Sequence, residues 1–388
     1  MVSSRANILS ESITMAITAL SKELKASGKD VLSFSAGEPD FDTPQIIKDA
    51  AIEAINSGFT KYTAVDGIPE LKEAVVEKLK RDNGLEYKAS DIIVSNGAKH
   101  SLFNLFQSLI DNGDEVIIPS PYWVTYPELV NYSGGKVVEI ETQDVNSFKI
   151  TPEQLKSAIT DKTKMLILTT PSNPTGAVYS RDELTALAEV LKDTDIFVAS
   201  DEMYEKLLYE GEFTSVASIS EDMFNRTITI NGLSKSVAMT GWRFGYLASP
   251  NSDLIKAMKK LQSQSTSNIN SITQKASIVG LQPEIDSEIA EMVKAFRERR
   301  DYAVDAINSI DGLSVVKPDG AFYLFVNISK VDNDSMQFSK DLLENKGVAV
   351  VPGVGFGSEG YVRMSFATDL DSIKDGIRRI SEFVKERK

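Results

Sequence analysis

The chain has 388 residues, 42% of them hydrophobic and 25% charged, which is ordinary globular composition with ample length to bury a core. Lys and Arg number 42 against 56 Asp and Glu, and the resulting formal charge of −14 argues against nucleic-acid phosphates or an anionic membrane surface as partner, while leaving room for a locally positive pocket. With no cysteine and one histidine, His100, the chain excludes disulfides, thiolate chemistry and multi-imidazole zinc sites; no metal is expected, and no G-x-S-x-G elbow accompanies His100 to suggest a serine triad.

The N-terminal stretch mixes Arg5, Glu11 and hydroxyl residues with short apolar runs, unlike a signal peptide. No run approaches the roughly 20 apolar residues of a membrane span, so a cytoplasmic location is expected. Ser12 to Ser27 reads as an amphipathic helix, with Ile13, Ile17, Leu20 and Leu24 at helical spacing and Gly28 as its stop. A loop, Ser35-Ala36-Gly37-Glu38-Pro39-Asp40-Phe41, precedes helical segments near 44–57 and 69–83.

From Asp91 onward, apolar runs alternate with helical stretches. The runs are Ile92–Ser95, Glu115–Pro119, Lys136–Ile140, Met165–Thr169, Ile196–Ser200 and Thr227–Ile230; the helical stretches lie near 98–110, 122–133, 152–159 and 181–192. That alternation predicts an α/β fold with a mostly parallel sheet flanked by helices. Near residue 284 the rhythm changes to one long helix of about 25 residues, marked by Ile289, Met292, Val293, Phe296, Ala303 and Ile307. Shorter strands follow at Val315–Val316, Phe322–Ile328, Val348–Val351 and Val362–Phe366. The expected organisation is a large domain over 41–283 and a smaller α+β domain built from 1–40 and 284–388.

Four segments carry candidate chemistry. Lys235, in Gly232-Leu233-Ser234-Lys235, falls just past the strand Thr227–Ile230, where doubly wound sheets place ligands, and Arg243 follows nearby. A lysine there beside a phosphate-binding arginine suits covalent attachment of an anionic carbonyl cofactor, although a lysine in a polar turn is also common. Asp201 ends the run Ile196–Ser200 and could pair with a protonated ring nitrogen, with Tyr204 three residues on; an acidic pair at this position also suits a helix N-terminus. Pro171-Ser172-Asn173-Pro174-Thr175-Gly176 makes a turn on any reading, and Asn173 could hold a ring oxygen. Ser95-Asn96-Gly97-Ala98-Lys99-His100 joins a strand to a helix, so the Ala98 and Lys99 amides could cradle a phosphate. His100 receives no role.

Two segments are set aside. Gly355-Phe356-Gly357-Ser358-Glu359-Gly360 fits G-x-G-x-x-G literally but precedes a strand-like run rather than a helix. Arg297-Glu298-Arg299-Arg300 reads as the solvated face of the long helix.

In register over essentially the whole chain, SAGEPDFDTP, KYTAVDGIPELKEA, NGAKHSLFNLF, SPYWVTYPE, PSNPTGAVY, SDEMYE, NGLSKSVAMTGWRFGY, GAFYLF and VRMSFA resemble the class I aminotransferases of fold type I, most closely the bacterial aspartate aminotransferases. The resemblance implies pyridoxal phosphate held as a Schiff base on Lys235, which later moves the α-proton. It implies that Asp201 pairs with the pyridine nitrogen, Tyr204 and Asn173 hold the ring oxygen and Trp123 stacks on the ring. Ala98, Lys99, Ser234 and Arg243 would surround the phosphate, and Gly37, Trp123, Asn173 and Arg363 the substrate, with Arg363 a fork for the α-carboxylate. Tyr62 would reach the neighbouring subunit's phosphate, which makes a homodimer the expected state. The chain departs from the wider family at Gly232, where a hydroxyl residue often stands three positions before the lysine, so one phosphate contact is expected to be missing or replaced.

The implied reaction is a ping-pong transfer from L-aspartate to 2-oxoglutarate. Lys99 matches the lysine that favours acidic side chains, although a lysine at a helix N-terminal turn has a plain alternative. The rival expectations are an aromatic or broad-specificity aminotransferase, including one acting on prephenate, and a pyridoxal-phosphate C–S lyase. A cofactor-binding regulator would need a basic DNA-binding module, for which the chain has no spare segment.

Overall fold

The computed structural model describes residues 2–11 and 13–387. The first long helix runs Ile13–Ala26; Ser12, its predicted start, lies outside the described residues. A short strand, β1 (Leu32–Ser33), precedes the strands of the main sheet: β2 (Ile92–Asn96), β3 (Glu115–Ser120), β4 (Lys136–Glu141), β5 (Thr163–Thr169), β6 (Phe197–Asp201), β7 (Thr227–Gly232) and β8 (Phe244–Ala248). Their spatial order is β2-β8-β7-β6-β5-β3-β4, with parallel pairing from β7 through β4 and β8 antiparallel to both neighbours.

The predicted parallel runs form strands within a residue or two of their expected ends. Both faces of this sheet are covered, so its central strands read as unbroken apolar runs. Alternation survives only in which core each residue enters. Ile93 and Leu247 pack beneath the helices Ala98–Leu109 and Ser252–Ser265, whereas Ile92, Val94, Phe244 and Tyr246 pack beneath Gln45–Asn56, Pro69–Asn83 and Ser271–Gly280. Each such buried side chain contributes about 1.5–3 kcal/mol of transfer free energy. β8 is an addition to the expected pattern: Phe244–Ala248 directly follows the turn that carries Arg243, with only the short 3-10 helix Thr240–Trp242 between it and β7.

The helix Asp286–Asn308 leads away from the main sheet, burying Ile289, Met292, Phe296, Ala303 and Ile307 as the spacing predicts. Beyond it, β9 (Ser314–Val315) and β10 (Tyr323–Asn327) precede β11 (Val348–Ala349), β12 (Val351–Pro352) and β13 (Tyr361–Ser365). The run Val348–Val351, expected as one strand, is divided. β11 pairs in parallel with β1, while β12 joins the antiparallel sheet β12-β13-β10-β9. The segment Gly355–Gly360 leads into β13, as its rejection as a dinucleotide fingerprint requires.

The reading of Arg297–Arg300 as a solvated face needs correction. Arg297 and Glu298 are exposed, but Arg300 is fully buried. Its guanidinium lies 4.6 Å from the Tyr209 ring centre, donates to the Pro318 carbonyl at 3.1 Å and pairs with Glu210 and Asp301. A hydrophobic stem and five donors let arginine fill a site that a charge run does not advertise.

Candidate active site

The carboxyl ends of β2, β5, β6 and β7 open on one side of the main sheet. A cavity of about 330 Å³ lies there, and its wall includes Gly37, Ala98, Lys99, Trp123, Asn173, Asp201, Tyr204, Ser234, Lys235, Arg243 and Arg363. These residues come from nearly the full length of the chain. Of the residues singled out in the sequence, only Tyr62 stands apart: it is 90% exposed on the segment between the helices Gln45–Asn56 and Pro69–Asn83.

Lys235 sits just beyond β7, and its ammonium donates to the Gly37 carbonyl. Burial draws its pKa down to about 8; Arg363 and Arg243 push the same way, while Glu38 and Asp201 oppose the shift. Asp201, the last residue of β6, is buried, and that burial raises its pKa above the ordinary carboxylate value. The Tyr126 hydroxyl donates to its Oδ2 at 2.7 Å and the Met203 amide to its Oδ1 at 3.2 Å, both working against the rise.

Arg363, on β13, is 2% exposed. Its Nη1 donates to Asn173 Oδ1 at 3.0 Å and its Nη2 to the Ser35 carbonyl at 2.9 Å. The guanidinium packs on two rings, 4.4 Å from the centre of Tyr323 and 5.1 Å from that of Phe356. Its Nε is buried without a partner, and burial works against its charge. A buried guanidinium that forms part of a cavity wall suits an anion of matching shape.

At the opposite end of the cavity, the helix Ala98–Leu109 begins at Gly97, which has φ 78° and offers no side-chain cap. The Ala98 and Lys99 amides stand at the positive end of the helix, whereas the His100 amide already donates to the Gly97 carbonyl at 3.0 Å. A Cβ on Gly97 would stand 2.5 Å from Arg243 Nη2, so glycine is what allows the arginine to lie across this turn. Arg243 is itself left-handed (φ 58°) and donates to the Thr240 carbonyl at 2.8 Å. Lys99 projects from the same turn with its ammonium 4.9 Å from the Trp123 ring centre; burial, then the nearby Arg243, lowers its pKa. His100 accepts from the Asn96 amide through Nδ1 at 3.2 Å, a structural bond within the turn.

Gly232 and Gly245 are register partners on β7 and β8. A Cβ on Gly232 would stand 2.6 Å from the Phe244 carbonyl oxygen, so a hydroxymethyl group has no room there.

Six further wall residues escape sequence reading: Val124, Tyr126, Thr169, Met203, Thr240 and Tyr323. Tyr323 and Tyr204 share a hydrogen bond between their hydroxyls at 2.9 Å, and Thr240 Oγ1 donates to Glu38 at 2.9 Å. For Tyr126 a signal existed: it follows Trp123 by three residues, a spacing that brings side chains together on a helical turn.

The donor set fits pyridoxal phosphate. An uncapped helix start with Arg243 and Ser234 matches a phosphate, Asp201 a protonated ring nitrogen, and Lys235 an aldehyde carbon. Residues 29–380 match the family model described as aminotransferase class I and II. The aspartate aminotransferase of Bacillus subtilis (strain 168) is 50% identical over 388 residues, covering 98% of each chain. The aspartate/prephenate aminotransferase of Thermus thermophilus is 44% identical over 382 residues, again covering 98% of each. Among solved structures, the Thermus thermophilus aspartate aminotransferase with maleate superposes with a TM-score of 0.95 at 43% identity, covering 98% of this chain and 99% of that one.

Proposed function

This chain belongs to the class I and II aminotransferases, which work with pyridoxal phosphate, and we propose that it moves the amino group of L-aspartate to 2-oxoglutarate. The observation that carries the reading is the cavity itself, whose wall brings Lys235 together with Asp201, Arg363 and Lys99.

When bound, the cofactor supplies an electron-poor ring that accepts the electron pair left as the substrate Cα–H bond breaks. The chain does the rest. Arg363 takes the α-carboxylate, and Gly37 and Asn173 close around it. The Tyr323 and Phe356 rings and the hydrogen bonds to Asn173 and Ser35 hold the fork, so orientation is set before substrate arrives. Lys99 faces a second, distal carboxylate, which selects aspartate, glutamate and dicarboxylic oxo acids over aromatic substrates. Prephenate, with two carboxylates, falls within the same charge logic. Lys235 Nζ accepts the α-proton; its lowered pKa leaves more neutral amine near pH 7 than an exposed lysine has. Asp201 keeps the ring nitrogen protonated, Tyr204 and Asn173 hold the ring oxygen, and Trp123 covers the ring. Ala98, Lys99, Ser234 and Arg243 hold the phosphate.

The working unit in this reading is a cytoplasmic homodimer of two-part subunits, with residues 41–283 as the cofactor domain and 1–40 with 284–388 as the small domain. Tyr62 then reaches the second copy's phosphate. Its segment is held firmly, because Gln262 donates to the Val65 carbonyl at 2.6 Å and Gln274 to Thr63 Oγ1 at 2.8 Å.

The test is spectroscopic. Purified protein is loaded with cofactor and given aspartate, glutamate, alanine or phenylalanine without any oxo acid. Spectral conversion fastest with the acidic pair is expected, and Lys235→Ala should retain cofactor noncovalently yet lose nearly all turnover. A faster response to phenylalanine would move the substrate class to aromatic amino acids, and turnover by Lys235→Ala would remove the central assignment.

A further inference from the structure

We propose that Tyr126 is a positioning residue for Asp201: its phenol holds the buried carboxylate ionised and fixed in rotation without adding a countercharge. The inference rests on the assignment of Asp201 to the ring nitrogen given above.

Asp201 and Thr169 are register partners on β6 and β5, so their side chains leave the sheet on the same face. The Tyr126 hydroxyl sits between them, 2.7 Å from Asp201 Oδ2 and 2.8 Å from Thr169 Oγ1. A phenol has one proton. Donated to the carboxylate, it leaves the oxygen lone pairs to accept from Thr169, and the chain Thr169 to Tyr126 to Asp201 runs in one direction. Tyr126 is the sole side-chain donor to Asp201 among the described residues; the Met203 amide is the other partner. With one oxygen held by each donor, the carboxylate cannot swing away from the cavity.

A cation at this position would also keep Asp201 charged, but it would cancel the field that the carboxylate exerts on its ligand. A phenol does not. Burial and the neighbouring Asp201 charge hold the Tyr126 pKa well above its usual value, so it remains a neutral donor across the working range. The ring is fixed independently, edge-on to Trp123 with centroids 5.5 Å apart, and it is 1% exposed. Other titratable groups near Asp201 are Lys235, from the turn after β7, and Tyr204, from the turn after Asp201 itself.

The experiment measures cofactor binding to the apoprotein by quenching of tryptophan fluorescence, from pH 5.5 to 9, in wild type, Tyr126→Phe, Asp201→Ala and the double variant. Phenylalanine keeps the ring packing and removes only the donor. Loss of a bond to a charged group predicts about tenfold or greater weakening on the acid side. It also predicts an acid limb displaced upward in pH, with near wild-type affinity at pH 9. In the Asp201→Ala background the same change should add less than about twofold. Steady-state assays of the loaded enzymes should show kcat falling about tenfold with KM changed little.

An unmoved acid limb, or equal weakening at every pH, would overturn the inference and leave Tyr126 as packing. Wild-type affinity and turnover in Asp201→Ala would instead remove the assignment of Asp201 itself, and the inference would fall with it.

Discussion

The Lys235 ammonium donates to the backbone carbonyl of Gly37, a partner 198 positions earlier in the chain. The bond ties the turn after β7 to the segment after β1, so the group expected to move a proton also fastens the cavity wall. It lies where burial disfavours charge, and this gives it a measurable pH signature.

Burial lowers the Lys235 pKa to about 8, below that of an exposed lysine. Between these two values the unfolded chain binds more protons than the native state, so this residue makes the cofactor-free protein more stable as pH rises through the window. Urea midpoints measured from pH 7 to 10 should climb more steeply in wild type than in Lys235→Met. Identical slopes would mean that Lys235 titrates as an ordinary lysine.

Lys99→Ala should separate substrates by charge. Removing one charge-assisted contact predicts a loss of about 1.5–3 kcal/mol in kcat/KM for aspartate and glutamate. For phenylalanine the loss should stay below about threefold. Equal losses across the three would show that Lys99 serves the phosphate or the fold alone.

Gly232→Ser adds a hydroxyl three positions before Lys235, but its Cβ would press on the Phe244 carbonyl. Overpacking of this kind costs about 1–3 kcal/mol, because the obstacle is backbone in a paired strand. Chemical denaturation should reveal that cost. A fully stable variant with tighter cofactor binding would mean that β8 yields easily.

Arg300→Ala should destabilise the protein by about 2–4 kcal/mol, chiefly through lost packing on Tyr209 and the unpaired Pro318 carbonyl. Glu210 and Asp301, both about half exposed, stay hydrated and contribute little to the loss. Arg297→Ala, on the exposed side of the same helix, should change stability by less than about 0.5 kcal/mol. Equal melting temperatures for the two variants would contradict the burial of Arg300.

Much of the cavity was legible because its residues sit in turns at strand ends. Gly97, Asn173, Asp201 and Lys235 stand where the backbone must change direction, and the residue types that allow this are conspicuous in a sequence. Tyr126 showed only its three-residue spacing from Trp123, and Tyr323 nothing, because an aromatic residue inside a helix or an apolar strand reads as core; only the fold aims their hydroxyls into the site. Arg300 misled for the opposite reason, since a charge looks solvated until its surroundings are known. The main strands followed from apolar runs bounded by turn residues. The split of Val348–Val351 did not, because both halves are buried and only their partners differ. β8 was missed because it follows the Arg243 turn too closely to stand out as a separate run.

Arg363 has consequences for the order of synthesis, since it is made long after Lys235 and Asp201. The nascent chain holds every residue proposed to seat the cofactor while β13 is still inside the ribosome, and β1, which carries Ser35 and Gly37 toward the cavity, must wait for β11. A polypeptide stalled before β13 would therefore carry Lys99 and the residues proposed to seat the cofactor but lack the fork proposed for the α-carboxylate, which arrives last, together with the strand that completes the small sheet.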